Sequence, residues 1–147
     1  MGYFGIGIYH TKTEANVGTL WRSAFLFNAA FVFTIGRRYS KQASDTQKTW
    51  RSIPLWHFTD IDDWREHTPY DCQVVGVELA EGAIALPVFR HPKRAIYLLG
   101  AEDHGLPPAV LTLCQYVVQI PTGKPYSMNV ATAGSILMYD RFCKEGT

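Results

Sequence analysis

At 147 residues, with 47% apolar and 14% aromatic content, the chain is long enough for one domain around a real core and too apolar for a disordered segment. A formal net charge of +1 excludes a global field for nucleic acid and leaves only local patches. Three cysteines, odd in number and far apart (Cys72, Cys114, Cys143), favour a reducing compartment over a disulfide frame.

Tyr3 to Tyr9 reads as a strand in which Phe4, Ile6 and Ile8 alternate with Gly5 and Gly7. A dinucleotide fingerprint needs its glycines in the turn after the strand, so these two do not form one. A polar loop leads to Val17, Leu20, Trp21 and Ala24, spaced as the apolar stripe of a helix. Gly18 and Arg22, four apart, share another face of it, and a glycine there clears room beside the arginine. Ala30 to Ile35 is a second strand, so the first thirty-five residues form a βαβ unit with parallel pairing. Arg37, Arg38, Lys41, Lys48 and Arg51, with Tyr39 and Trp50 among them, follow in a polar segment. That mixture suits RNA, and it equally suits a solvated connection. Leu55 to Phe58 is a short strand, Asp60 caps a brief helix through Glu66, and Gln73 to Leu79 is the fourth strand. Ala80 to Pro92 reads as an irregular loop. Arg94 to Leu99 is the fifth strand, ending in a turn bounded by Gly100 and Gly105 and a helix opened by proline. Tyr116 to Ile120 is the sixth.

The stretch from Ile120 to Ala133 carries the most information. Pro121, Gly123 and Pro125 forbid regular structure for about six residues. Ser127 is a candidate N-cap for a helix from Met128, rich in small residues through Ser135. Polar Ser127 and Asn129 at a buried helix start need partners. No CxxC pair, HExxH or Cys/His cluster occurs, so no metal is expected. The N-terminus has no basic stretch before an apolar one, and no run is long enough to span a bilayer. The expectation is a single cytoplasmic domain, 1–147, with no membrane partner.

Three segments stand in order: Asn16-x-Gly18-x-x-x-Arg22-x-Ala24, then Leu98-Leu99-Gly100-Ala101-Glu102-x-x-Gly105-Leu106-Pro107, then Ile120-Pro121 and Ser127-Met128-Asn129-Val130. Together the chain resembles the SpoU/TrmH-like RNA 2'-O-ribose methyltransferases of the SPOUT class, from Phe4 to about Phe142. The resemblance implies an α/β fold: a mostly parallel six-stranded sheet flanked by helices, with a deep C-terminal trefoil knot. It implies S-adenosylmethionine held by Glu78, Leu79, Gly100, Ile120, Ser127 and Met128. It also implies a homodimer through the first and last helices, and an RNA substrate, tRNA more than rRNA. Met128 stands where relatives commonly have leucine, a swap that conserves volume. Glu78 is an unusual acidic offer there, placed either to accept from the cofactor or to face water.

The same resemblance puts Arg22 on the acceptor side, across the dimer. A guanidinium stays protonated, so a clamp on the neighbouring phosphate suits it better than a base. Asn16 and Asn129 hold that geometry by hydrogen bonds in this reading, Ser127 is counted with them among the catalytic residues, and Glu102 locks Arg22 or the turn. Methylation of a base nitrogen on the same fold is the alternative, and a non-catalytic RNA-binding homologue is another. A hydrolase built on Ser127 and His104 lacks a GxSxG-like elbow.

Overall fold

The computed structural model describes residues 2–36, 52–101 and 104–145. The cationic segment from Arg37 to Arg51, and Glu102, lie outside the described residues. The chain runs β1 (Tyr3–Tyr9), α1 (Glu14–Leu26), β2 (Phe31–Ile35), β3 (Leu55–Phe58), α2 (Ile61–His67), β4 (Gln73–Val77) and β5 (Ile84–Ala85). It continues through a 3-10 turn (Leu86–Val88) to β6 (Arg94–Leu99), α3 (Pro108–Leu111), β7 (Tyr116–Gln119) and α4 (Val130–Glu145).

The strands form one seven-stranded sheet, ordered β3-β2-β1-β6-β4-β7-β5, with every pair parallel. The expected six strands become seven because Ile84–Ala85 pairs with Val118 and Gln119, inside the segment read as irregular. Two residues between turns carry no period for a pattern to detect.

Alternation divides the core. Phe4, Ile6, Ile8, Val32, Tyr97 and Leu99 meet α1 and α4 on one face, through Leu20, Trp21, Leu137 and Met138. Phe31, Phe33, Ile96 and Leu98 meet α2 and α3 on the other, through Trp64 and Val110. A parallel sheet covered on both faces explains the near-continuous apolar strands. Gly5 and Gly7 lie inside β1, and a Cβ on either would overlap the ring of Phe31 or Phe33. Two phenylalanines of the next strand lie across a glycine trough, which accounts for the glycines without a nucleotide.

Asp60 caps α2 as expected, its Oδ1 accepting the Asp63 N–H at 2.8 Å. The cap of α4 differs from expectation. The helix starts at Val130, and Asn129 Oδ1 accepts from the backbone N–H groups of Ala131 (2.9 Å) and Thr132 (3.1 Å). Ser127 is not the cap. Serine and asparagine cap about equally well, and the helix begins where Val130 and Ala131 reach the core. The small residues serve close packing: a Cβ on Gly134 would overlap Leu20 Cδ1 of α1. Ser135 and Ser23 share a hydrogen bond of 2.7 Å between the same two helices.

Candidate active site

The carboxyl ends of the adjacent strands β6, β4 and β7 open into a cavity of about 250 Å³. Open parallel sheets place ligands at this edge. Val77, Glu78 and Leu79 line it after β4, Leu99, Gly100 and Ala101 after β6, and Ile120 after β7. Thr122, Tyr126, Ser127 and Met128 form the loop wall, and Val130 and Ala133 the floor from α4. All six residues expected to hold a cofactor (Glu78, Leu79, Gly100, Ile120, Ser127 and Met128) therefore line one cavity.

The turn after β6 depends on Gly100. Gly105 donates its N–H to Ala101 O at 2.9 Å and folds back, so a Cβ on Gly100 would overlap the Gly105 backbone. Gly105 has φ 61°, a left-handed backbone that favours glycine, and a Cβ there would overlap the Glu78 carboxylate. Glu78 does more than face water. Its Oε2 accepts the Leu106 N–H at 2.6 Å and its Oε1 the Leu79 N–H at 3.0 Å. The carboxylate ties the end of β4 to the turn after β6 and keeps lone pairs for a ligand. Among the described lining residues it is the one acidic side chain.

This arrangement suits a ligand with a flat apolar part and a cationic end. Leu79, Leu99, Ile120 and Val130 give apolar wall, the strand ends give main-chain polar groups, and Glu78 gives negative charge. His104 and Ser127 line the same cavity, but no hydrogen bond joins them among the described residues, so no nucleophile–base pair is formed.

The acceptor-side residues divide. Asn129 Nδ2 donates to Asn16 Oδ1 at 2.9 Å, which fixes the start of α1 against the start of α4. Arg22 is exposed on α1 and does not line the cavity of its own chain; a Cβ at Gly18, one turn earlier, would meet nothing within 4 Å. The open space expected beside the arginine is present.

Sequence reasoning missed a second polar cluster at the far end of α4. The buried Arg141 guanidinium donates to Pro92 O (2.8 Å), Lys93 O (3.1 Å) and Tyr97 Oη (2.9 Å), and pairs with Glu145. His91 lies 2.7 Å from Tyr97 Oη through Nδ1 and 2.7 Å from Asp140 Oδ2 through Nε2. Lys144 completes it with Asp140 at 2.8 Å and with Leu86 O at 2.7 Å. Burial pushes the Tyr97 hydroxyl up to about 12 and holds His91 below the usual imidazole range. Among the described residues, no helix is long and apolar enough to cross a membrane.

A family model described as the SpoU rRNA Methylase family matches residues 4–139. Over 69 residues the chain is 33% identical to the 23S rRNA (guanosine-2'-O-)-methyltransferase RlmB of Acinetobacter baylyi; this stretch is 46% of this chain and 28% of that protein's length. A structure solved for insight into the 2-OH methylation of C/U34 on tRNA superposes with a TM-score of 0.84 at 21% identity, over 100% of this chain and 93% of that one. The SpoU methyltransferase AviRb from Streptomyces viridochromogenes, in complex with AdoMet, gives 0.79 at 24% identity, over 99% of this chain and 59% of the other. These structural likenesses show a shared fold.

Proposed function

The chain belongs to the SpoU rRNA Methylase family, and from that premise we propose that it is an S-adenosylmethionine-dependent RNA methyltransferase acting on a ribose 2'-hydroxyl. One observation carries the reading: the six residues named for the cofactor converge on one cavity at the carboxyl edge of the sheet. The Gly100 cradle, the apolar walls and the single carboxylate fit an adenosine with a cationic sulfur. When bound, that cofactor supplies an electrophilic methyl group, whose bond to sulfur breaks as the ribose oxygen bonds to carbon. The leaving group needs no acid. The chain's work is to hold the hydroxyl in line, take charge of its proton and exclude water.

In this reading Glu78, Leu79, Gly100, Ile120, Ser127 and Met128 bind the cofactor. Asn16 and Asn129 hold α1 and α4 in register. Arg22 clamps the phosphate next to the acceptor ribose, and the hydroxyl proton leaves through that phosphate, since a guanidinium stays charged. Glu102, two residues after Gly100 in the sequence, is given the role of locking Arg22 or the turn.

Arg22 reaches a cavity across a homodimer. Supporting this, Phe25 and Leu26 of α1 and Ile136, Tyr139 and Phe142 of α4 form an exposed apolar patch, Leu26 being 63% exposed. The knot belongs to the same reading and rests on membership of the family. A tRNA acceptor is favoured over rRNA because one structure that the chain spans almost end to end was solved for insight into the 2-OH methylation of C/U34 on tRNA. Residues 1–147 acting as a catalytic domain in the cytoplasm complete the proposal.

Arg22→Ala tests it. Calorimetry is expected to show unchanged cofactor binding, while methyl transfer to tRNA falls by on the order of a hundredfold or more, the scale of a lost charge clamp. Loss of both in a folded protein sinks the assigned role, and nucleoside mass analysis separates ribose from base methylation.

A further inference from the structure

Among the described residues, two other than glycine take a left-handed backbone, Asn28 (φ 64°) and His10 (φ 55°). Asn28 directly follows the C-cap Phe27 of α1, where helices commonly end this way. His10 has no helix to end. It stands just past β1, its N–H donating to Ile35 O at 2.8 Å, at a position that glycine or asparagine would hold with less steric conflict.

The His10 ring is exposed, and its centroid lies 4.2 Å from that of Tyr9, with 41° between planes. Gly36, itself at φ 92°, makes room for it, because a Cβ there would stand 2.7 Å from His10 Nε2. A strained backbone, a neighbour cleared of its side chain and an aromatic ring held toward solvent meet at one point. Their level in the sheet is fixed by register: Ile8 pairs with Leu99, and the next two residues after Leu99, Gly100 and Ala101, line the cavity. The turn carrying His10 therefore leaves β1 at the same carboxyl edge of the sheet, one strand from that wall in the sheet order, with its ring beside Gly36 at the end of β2.

We infer that the His10 imidazole, backed by Tyr9, is the seat on which a base of the substrate RNA stacks beside the ribose offered to the cavity. The inference rests on the RNA-methylation reading above. Histidine is among the side chains on which unpaired RNA bases stack, and such stacking tolerates any base because every base has a π face. The imidazole also brings ring nitrogens that reach a base edge or a 2'-hydroxyl. Strain at an exposed position is explained when the ring it presents has a use.

The test uses His10→Asn and His10→Gly in the full chain, since both residues accept the left-handed backbone. Expected are a melting temperature no lower than that of the unaltered chain, since both variants relieve the backbone, unchanged S-adenosylmethionine affinity and unchanged kcat at saturating tRNA, with KM for tRNA raised on the order of tenfold. An unchanged KM, or a KM change accompanied by lost cofactor binding, overturns the stacking seat. If the unaltered chain binds cofactor but methylates no RNA, the failure belongs to the parent reading instead.

Discussion

The two ends of α4 present opposite uses of polar chemistry. At its N-terminus lies a cavity made of strand ends, glycines and apolar walls, with one carboxylate held by two backbone N–H groups. Near its C-terminus lies a dense set of charged and titratable side chains, Arg141, Tyr97, His91, Asp140 and Lys144, bonded to one another and to carbonyls of residues 86–93. An Asp–His–Tyr series resembles catalytic machinery more than a glycine turn does. Yet the His91 side chain is 3% exposed and none of the set lines the cavity. Buried networks rigidify a core as their members are satisfied, and in this cluster Arg141 Nε is the buried side-chain atom left without a hydrogen bond among the described residues. Here the charged cluster docks a helix, and the plain backbone cavity is the candidate for chemistry.

This contrast breaks most readily at Gly100. Gly100→Ala puts a Cβ into the Gly105 backbone. Cofactor affinity is expected to fall on the order of a hundredfold, about 2.8 kcal/mol, while the far cluster and most of the stability persist; calorimetry and urea unfolding read the two separately. Arg141→Met is the converse. It takes the side-chain donor from Pro92 O, leaving Lys93 O with the Tyr3 N–H and Tyr97 Oη with His91, so unfolding in urea should show a loss of roughly 1–3 kcal/mol, with cofactor affinity of the folded protein unchanged. A hundredfold affinity change there would erase the division between the two ends.

Asn129→Ala touches the boundary between them. It removes the cap of α4 and the contact to Asn16, with an expected loss of about 1 kcal/mol in stability and a smaller weakening of cofactor binding, since Met128 lines the cavity. The smallest effect concerns pH. His91 titrates below its unfolded value of about 6.5, chiefly through burial. Its contribution is whole above that value and declines as pH falls below it, because the unfolded chain takes up the proton first. Melting curves from pH 7.5 to 5 should fall less steeply for His91→Gln than for the unaltered protein.

The cavity was more legible in the sequence than the cluster. Gly100 and Ile120 follow strong strands, and Ser127 and Met128 precede a helix, so local patterns place them near one sheet edge. The cluster joins His91 to Asp140 and Pro92 to Arg141, each pair separated by 49 residues, and no local period links them. Asn129 was read as a polar residue in need of a partner, and it has two roles, as cap and as partner of Asn16. The shift of the helix start from Met128 to Val130 followed core packing, which propensity does not carry. Strand β5 was hidden by its length, and Leu79 fell beyond the end of β4, where the chain turns out to form the cavity wall.

Strand β1 holds one further consequence. It precedes the other strands of the sheet in chain order, yet it sits inside the sheet and its β6 edge pairs from Tyr3↔Arg94 to Ile8↔Leu99. At about 5–20 residues per second of synthesis, that edge stays open for roughly 5–20 s. A nascent chain therefore carries an unpaired apolar edge until Leu99 has left the ribosome, and chaperone demand during translation should be set by this interval.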